Sequence, residues 1–463
     1  MENKSIMRST YIFAGLFLII ILYFSYYLIA KSDSQMNNSY NKLTDKLSET
    51  TVRGIIYSRD GKVLAESKTD DEGNEYRYYP YGNLFCHGVG SLDYGKYGLE
   101  ALYNYQLLSS DVSWISKVLD DLKGEKYKGN NVISTFDLEL QKQAYDAMAQ
   151  YKGAVIIMEA DTGKVLTMMS NPSYNPNEAK DNWDTISNDE NSPILNRATM
   201  GLYTPGSIFK LFTLEEYLEE GNDTEGYSFT CTGSVNIDGQ SINCADRQRH
   251  GTLNLMGSFA HSCNGSFINI GSSLDIESFN KLCDRMLFNS KLPIDFPYNE
   301  SSFSLSSDDN EFLKAQAYFG QGETLVTPIH MALISSAVAN GGVLMKPMFV
   351  ERIENTYGST VTKYEPEEYT RLFSKEQADV LKEYMRSVVE TGTAVRLNQF
   401  KNLTVYGKTG TAQIDNGNAA NSWFIGFAEK DEKNYVITVV CEGVAKNISP
   451  AITVAGDILK VLD

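Results

Sequence analysis

The longest uninterrupted run of apolar positions lies near the N-terminus and extends from Tyr11 to Ala30 without a charged side chain. A helix that rises 1.5 Å per residue over this length crosses the ~30 Å hydrocarbon core of a bilayer. A cleaved signal peptide has a shorter apolar region followed by a small-x-small site, which the residues around Ala30 do not provide. The pattern therefore predicts an uncleaved transmembrane signal anchor at 11–30, preceded by a tail at 1–10.

Basic residues flank this segment on both sides. Lys4 and Arg8 precede it, whereas Lys31, Lys42 and Lys46 follow it. The positive-inside rule therefore does not assign its orientation.

Apolar runs in the second part of the chain predict a sheet that is built from distant segments. Asp161-Thr162-Gly163 reads as the turn of a hairpin between two such runs. The predicted strands and a closing helix lie at 154–158, 164–169, 422–428, 435–441 and 450–462. Because sheet elements come from both ends, the pattern predicts one α/β domain at 152–463 with helical structure inserted in its middle.

The residues between the anchor and this domain divide into two parts. Residues 31–48 are polar and predict a linker that lifts the remainder off the membrane. Residues 49–151 predict a small pedestal domain, with strand structure around Val63-Leu64-Ala65 and a short helix near 98–103.

Composition agrees with a folded protein of this organisation. A chain of 463 residues with 42% hydrophobic content is long enough for two domains with a sizeable core. Lys and Arg total 41 against 59 Asp and Glu, which gives a net charge of −18. Since no basic cluster is present to meet phosphates, this balance argues against a nucleic-acid partner.

Cysteine spacing suggests no zinc site, because the chain has no C-x-x-C pair and only four histidines. Cys231 and Cys244 flank a segment that contains Gly and Ser, and a disulfide between them would close a loop of ~14 residues in an oxidising exterior. Separate buried thiols are an equally good interpretation. The six cysteines are Cys86, Cys231, Cys244, Cys263, Cys283 and Cys441.

Three motifs in fixed order indicate an acyl-transfer site: Ser207-Ile208-Phe209-Lys210, Ser262-Cys263-Asn264 and Lys408-Thr409-Gly410. A serine hydroxyl is a poor nucleophile at neutral pH, and a lysine three residues later on the same helical face supplies a base. S-x-x-K also occurs at Ser39 and Ser278, and S-x-N is common in this chain. The ordered set, rather than any single triplet, is therefore the signal.

With these motifs the chain resembles class B penicillin-binding proteins, which are membrane-anchored peptidoglycan D,D-transpeptidases. The resemblance covers nearly everything after residue 50. Where the family has D-R-N-G, this chain has Ser58-Arg59-Asp60-Gly61, which keeps the turn but changes its charge pattern. Further matching segments are Arg53-Gly54-Ile55-Ile56, Tyr203-Thr204-Pro205-Gly206, Gly320-Gln321-Gly322, Ala339-Asn340-Gly341-Gly342 and Trp423-Phe424-Ile425-Gly426-Phe427.

The resemblance implies a β-lactamase/transpeptidase-like fold of the α/β (α+β) class, in which helices flank a mainly antiparallel sheet. Ser207 would be the nucleophile at a helix start, and its N–H would form an oxyanion hole with that of Thr411. Lys210 would be the general base, with its pKa depressed by the nearby Lys408. Ser262 would lie between the two lysines and shuttle a proton to the leaving group.

The remaining motif residues are expected to bind substrate. Asn264 would hold the substrate backbone, and Thr409 and Thr411 would offer hydroxyls to its terminal carboxylate. Gly410 would lack a side chain because an extended substrate approaches that strand closely. Cys263 would point away and is assigned no chemistry.

The expected reaction is the cross-linking of stem peptides through a Ser207 acyl-enzyme formed at D-Ala-D-Ala, without metal or organic cofactor. Expected partners are nascent peptidoglycan, β-lactams, the cell membrane and a polytopic glycan polymerase of the shape, elongation, division and sporulation family. The resemblance places the catalytic domain outside the cytoplasm. A D,D-carboxypeptidase, a serine β-lactamase and a non-catalytic penicillin-binding sensor or scaffold remain alternatives.

Overall fold

The computed structural model describes residues 2–30, 42–92, 97–414 and 419–463. Its strands are β1 Thr51–Val52, β2 Ile56–Tyr57, β3 Val63–Thr69, β4 Glu75–Tyr78, β5 Tyr127–Lys128, β6 Asn131–Ser134, β7 Lys152–Glu159, β8 Val165–Asn171, β9 Phe229–Cys231, β10 Ser234–Ile237, β11 Gln240–Asn243, β12 Gly251–Leu253, β13 Val343–Met345, β14 Val350–Glu354, β15 Thr360–Lys363, β16 Glu368–Arg371, β17 Thr404–Ile414, β18 Ala419–Lys430 and β19 Lys433–Ala445.

The α-helices are α1 Glu2–Ala30, α2 Lys42–Thr50, α3 Gly98–Leu102, α4 Asn104–Leu108, α5 Trp114–Lys123, α6 Leu138–Ala147, α7 Ala179–Ser187, α8 Arg197–Met200, α9 Lys210–Glu219, α10 Leu255–Ala260, α11 Asn264–Gly271, α12 Ile276–Arg285, α13 Glu311–Ala317, α14 Pro328–Ala339, α15 Lys375–Glu390 and α16 Pro450–Leu462. Short 3₁₀ turns lie at Gly82–Phe85, Pro176–Glu178, Gly206–Phe209, Ala245–Arg247 and Val395–Gln399.

The N-terminal apolar run forms one helix, α1, whose span Ile6–Tyr27 has a mean hydropathy of 1.9 and is not buried by the rest of the chain. It is a candidate membrane anchor. The helix begins at Glu2, so the residues predicted as a separate tail continue the same helix. Of the predicted linker, 31–41 lies outside the described residues, and 42–48 is helical in α2 rather than extended. There Thr44 is buried and Leu47 half-buried where α2 meets α4, which the polar composition did not suggest.

The small N-terminal sheet contains strands from two distant parts of the chain. Its order is β15-β14-β6-β2-β3-β4, so β14 and β15 pair beside strands of the predicted pedestal. A pedestal of 49–151 alone therefore omits two strands of its sheet. The physical reason is that β6, nearly fully buried, needs a partner on its open edge, and β14 supplies it.

The larger sheet is five-stranded and entirely antiparallel, in the order β17-β18-β19-β7-β8. The predicted hairpin, the two C-terminal strands and the closing helix are all confirmed. Most residues of β7, β18 and β19 are buried on both sides, because helices cover both faces of the sheet. Helices α6 and α16 pack together against it, and α14 with α8 forms a second group.

A salt bridge connects the two sheets, since Arg59 Nη1 lies 3.1 Å from Glu159 Oε1 at the end of β7. Arg59 belongs to the turn whose charge pattern differs from the family's. Within that turn, Ser58 Oγ donates to Asp60 Oδ1 at 2.6 Å. The altered turn thus still contributes to packing between the two parts.

Candidate active site

Ser207 lies in the 3₁₀ turn Gly206–Phe209, three residues before Lys210, where α9 starts. The sequence predicted the first turn of a helix here, and the structure places the tighter turn in front of it. Gly206 has φ +57°, and a Cβ there would lie 2.8 Å from the Thr411 carbonyl oxygen. Glycine is therefore required for the turn to approach β17. The Gly206 N–H also donates to the Gly320 carbonyl at 2.8 Å. A Cβ on Gly320 would lie 2.3 Å from the Gly206 carbonyl oxygen, so this contact requires the first glycine of the later Gly-Gln-Gly segment.

Lys210 is fully buried, and its Nζ lies 3.1 Å from Ser207 Oγ. The same nitrogen donates to the Ser262 carbonyl and to Asn264 Oδ1, both at 2.7 Å. Neither oxygen can donate, so these two bonds occupy both N–H groups of a neutral amine. The lone pair of that amine is then left for a hydroxyl proton, as a general base requires.

Burial lowers the pKa of Lys210 to about 7, a value suited to a base at neutral pH. The sequence assigned this lowering to Lys408. In the structure, the repulsion between the two lysines adds to burial in holding the pKa of Lys408 well below its usual range. Desolvation is thus the main cause at both positions.

Ser262 bridges the two lysines, as predicted. Its Oγ lies 2.9 Å from Lys408 Nζ and 3.2 Å from Lys210 Nζ. Ser262 has φ +55°, a conformation that costs a non-glycine residue free energy and is typical of functional sites. Within the described residues, neither lysine forms an ion pair with a carboxylate. An anionic group that entered the cleft beside Lys408 would favour the protonated form of that amine.

β17 forms the edge of the sheet and one wall of the cleft. Thr409 and Thr411 belong to this strand and are half-buried. The structure adds a second reason for glycine at position 410 to the expected close approach of substrate, which stays a prediction. A Cβ there would meet Ile208 Cγ2 and the Pro205 carbonyl oxygen, each at 2.9 Å, so the missing side chain admits the nucleophile turn.

Thr393 was missed by the motif search. Its Oγ1 lies 2.5 Å from that of Thr409, and both residues line the cleft. The available signal was the run Thr391-Gly392-Thr393, which repeats the Thr-Gly-Thr pattern of β17.

Asn264 is oriented by two contacts. Its Oδ1 accepts from Lys210, and its Nδ2 donates to the Asn243 carbonyl at 2.8 Å. One N–H of the amide remains for a ligand. The cleft that Ser207, Ser262 and Asn264 share with β17 has a volume of about 410 Å³.

Directly behind the second motif lies a cluster of Cys231, Cys244, His250 and Cys263, in which one ligand atom from each residue lies within 4.8 Å of the others. The spacing of the cysteines did not suggest such a grouping, and the structure corrects this. Cys231 ends β9, Cys244 and His250 lie in the connection between β11 and β12, and Cys263 directly precedes α11, so only the fold brings them together. Cys263 is fully buried and turned into this cluster.

Two protein-family models match parts of this chain. The family model described as the penicillin binding protein transpeptidase domain matches residues 153–460. A second, described as the penicillin binding protein A dimerisation domain, matches residues 53–132.

Among curated relatives, the peptidoglycan D,D-transpeptidase PbpA of Mycolicibacterium smegmatis is 27% identical over 406 residues, which cover 82% of each chain. Among solved structures, a D,D-transpeptidase domain from Eggerthella lenta has a TM-score of 0.79 at 28% identity and covers 89% of this chain and 99% of its own. A penicillin G acyl-enzyme complex of penicillin-binding protein A from M. tuberculosis has a TM-score of 0.80 at 25% identity, over 89% and 100%.

Proposed function

Since this chain belongs to the penicillin-binding protein transpeptidase family, we propose that it cross-links peptidoglycan stem peptides through an acyl-enzyme on Ser207. The observation that carries the proposal is the buried Lys210 amine, 3.1 Å from the Ser207 hydroxyl, with both of its N–H groups engaged by carbonyl oxygens. This arrangement leaves the lone pair of the amine to accept the hydroxyl proton, which makes the Ser207 oxygen nucleophilic.

In the first step, the Ser207 Oγ attacks the carbonyl of the penultimate D-Ala while Lys210 accepts the hydroxyl proton. The C–N bond to the terminal D-Ala then breaks, and the leaving amine takes up a proton through Ser262, which contacts both lysines. An acyl-enzyme and free D-Ala result. A β-lactam would follow the same path, but its leaving amine stays attached.

The oxyanion of the tetrahedral intermediate would be held by the N–H groups of Ser207 and Thr411. The orientation of the Thr409 backbone supports the role of the Thr411 N–H. The Thr409 carbonyl accepts from Lys408 Nζ at 3.1 Å and so points away from β18. On an antiparallel edge strand, residues two apart orient their backbone groups alike. The N–H of Thr411 is therefore free to face the cleft.

The substrate carboxylate would be bound by the Thr409 and Thr411 hydroxyls, and Thr393 would orient the first of these. Charge supports the assignment, since Lys408 lies buried beside Thr409 without a carboxylate partner among the described residues. Asn264 would donate its remaining amide proton to the substrate backbone. In the second step, an amine of a neighbouring stem peptide replaces Ser207 and forms the cross-link.

We further propose that α1 anchors the chain in the cell membrane with the catalytic domain outside the cytoplasm, where peptidoglycan lies. The proposed division is a tail at 1–10 and an anchor at 11–30 within α1, a connecting segment at 31–48 that leads into α2, a pedestal at 49–151 to which β14 and β15 are added, and a transpeptidase domain in the remainder of 152–463. A polytopic glycan polymerase of the shape, elongation, division and sporulation family is the proposed partner, by analogy with short class B penicillin-binding proteins, which usually work with such an enzyme.

The molecule that resolves the acyl-enzyme distinguishes a transpeptidase, which uses an amine, from its hydrolytic alternatives, which use water. The full chain in detergent is incubated with a stem peptide that ends in D-Ala-D-Ala and with an acceptor peptide that carries a free side-chain amine. We expect cross-linked peptide and one D-Ala released per bond, both lost in Ser207→Ala and unchanged in Ser278→Ala, a serine of the other S-x-x-K in the described residues. Hydrolysed peptide alone would instead identify a carboxypeptidase.

A further inference from the structure

Helix α5 exposes its apolar side instead of burying it. Five large apolar side chains of this helix, each between 45% and 79% exposed, form what we call the α5 face: Trp114, Ile115, Val118, Leu119 and Leu122. At 3.6 residues per turn, all five fall within an arc of about 140°. On the opposite, polar side, Ser116, Lys117 and Asp120 are half-buried. A surface helix of a globular protein normally turns its apolar stripe inward, so the α5 face calls for a partner beyond the described chain.

This exposure belongs to a well-formed helix with defined ends. The Ser113 side chain accepts from the Ser116 N–H at 3.2 Å and caps the start of α5. Gly124, with φ +68°, ends the helix in the left-handed conformation that favours glycine. Beyond it, the Tyr127 hydroxyl donates to Asp121 Oδ1 at 2.6 Å and ties the last turn to β5. The apolar side chains are therefore presented by a fixed surface.

Both ends of α5 are attached to the segment that leads from α1 into the folded part of the chain. Helix α4, which precedes α5, packs against α2. Strand β5, which follows α5, pairs in parallel with β1, directly after α2. Only residues 31–41 separate α1 from α2, and this length of chain spans at most ~40 Å when fully extended. The α5 face thus lies on the part of the protein that is tethered most closely to α1.

A second exposed aromatic residue lies near the start of α5. Asn355 Nδ2, in the turn between β14 and β15, donates to the Asp111 carbonyl at 3.1 Å, three residues before the helix begins. Tyr357 belongs to the same turn and is 70% exposed. Trp and Tyr are enriched where a membrane meets water, because each combines an apolar ring with a polar group.

The local charge also suits a membrane surface. Residues 114–128 contain four Lys against three Asp or Glu, which gives a net charge of +1, whereas the whole chain carries −18. Lys123 lies in the last turn of α5, beside the apolar arc. Lysines that flank an apolar helix face add electrostatic attraction to anionic lipids. This region can therefore approach an anionic surface that would repel most of the chain.

We propose that the α5 face inserts into the outer leaflet of the membrane that holds α1. The proposal rests on the proposed anchoring by α1 with the catalytic domain outside the cytoplasm, and not on the acyl transfer at Ser207. A helix of this kind lies in the plane of the interface with its apolar side ~5–10 Å deep. Together, α1 and α5 would attach the N-terminal part at two points and fix its orientation above the membrane.

A second copy of the chain is the competing occupant, because the dimerisation-domain model matches residues 53–132, which include α5. Lipid is favoured by the tether. Anchoring by α1 keeps the α5 face of every copy near the bilayer at a high effective concentration, whereas two copies must first meet.

Tryptophan fluorescence tests the insertion, because the chain has three tryptophans and none of them lies in α1. Trp423 is fully buried and Trp183 is half-buried, whereas Trp114 is largely exposed. The full chain is reconstituted into vesicles of phosphatidylcholine and phosphatidylglycerol, with or without bromine on the acyl chains near the headgroups. Bromine quenches a tryptophan that it contacts. We expect the brominated vesicles to remove about a third of the emission, the share of one tryptophan in three.

Four variants assign the signal to the α5 face. The quenching should disappear in Trp114→Phe, which keeps an apolar ring, and persist in Trp183→Phe. Leu122→Glu should reduce it by about half or more, because a charge on the apolar arc opposes insertion. Lys123→Gln lowers the net charge by the same amount on the polar side and should retain the quenching.

Flotation of the chain with the vesicles reports the anchoring by α1 separately. A chain that does not float would contradict the anchor and the insertion together. A floating chain with equal emission in the two kinds of vesicle would overturn the insertion alone. Equal emission with a cross-linked dimer that Leu122→Glu abolishes would assign the α5 face to a second copy instead. Acylation of Ser207 by a fluorescent penicillin should be unchanged in Leu122→Glu, and it reports the proposed function independently.

Discussion

Replacing Lys210 with methionine is expected to slow acylation by a penicillin about a thousandfold, the scale of a lost general base. Methionine fills the fully buried site without the amine that lies 3.1 Å from Ser207 Oγ. The unmodified enzyme should lose activity as the pH falls through about 7, because the neutral amine is the active form. Below that pH the rate should drop about tenfold per unit, a dependence that Lys210→Met removes.

The control for this variant is Lys281→Met, because Ser278 and Lys281 form a second S-x-x-K in which the lysine is 71% exposed. Stopped-flow acylation by a fluorescent penicillin across pH 5 to 9 provides the comparison. If Lys210→Met acylates at the rate of Lys281→Met, or keeps the pH profile of the unmodified enzyme, Lys210 is not the base.

Replacing Glu100 with glutamine is expected to destabilise the N-terminal part by about 3–5 kcal/mol. Glu100 is fully buried, and its two carboxylate oxygens lie 2.7 Å from Arg53 Nε and 2.7 Å from Arg77 Nε. Burial opposes its charge, but the two guanidinium groups outweigh burial and lower the pKa of Glu100. Glutamine would leave two buried cations without a counter-charge. Arg53 is the first residue of the Arg-Gly segment that marks the family resemblance.

Thermal unfolding of the full chain in detergent, followed by limited proteolysis within 53–132, measures this effect. The midpoint for that region should fall by more than about 10 °C in Glu100→Gln, given its small size. Glu66→Gln is the control, since it breaks a half-exposed pair with Lys68 that is worth at most about 1 kcal/mol. Equal midpoints for the two variants would contradict the assigned role of the buried triad.

Sequence alone predicted the elements whose apolar runs are long and continuous. The hairpin of β7 and β8, the strands β18 and β19, and helix α16 all lie where the pattern placed them. Strand β15 could not be assigned to the N-terminal sheet, because its four residues are exposed and carry no alternating pattern. Helix α2 was missed for a similar reason, since its polar composition resembles that of a linker.

The residues of the site fall into two similar groups. Some were predicted from motif spacing, and others come together only in the folded chain. The three motifs predicted the grouping of Ser207, Lys210, Ser262 and Lys408, because each triplet has a fixed local geometry. The cluster of Cys231, Cys244, His250 and Cys263 has no motif spacing, and only the fold brings its members together. Gly410 was interpreted from the substrate side, whereas its neighbours Ile208 and Pro205 lie about two hundred positions earlier in the chain.

The most direct test of the central claim is the intact mass of the full chain after incubation with a penicillin, followed over hours. We expect one adduct per chain with the mass of the whole drug. It should be stable without an amine acceptor, present in Ser278→Ala and absent from Ser207→Ala. No adduct on the unmodified chain, or an adduct retained by Ser207→Ala, would contradict it, and rapid return to the free mass with hydrolysed drug would identify a β-lactamase instead.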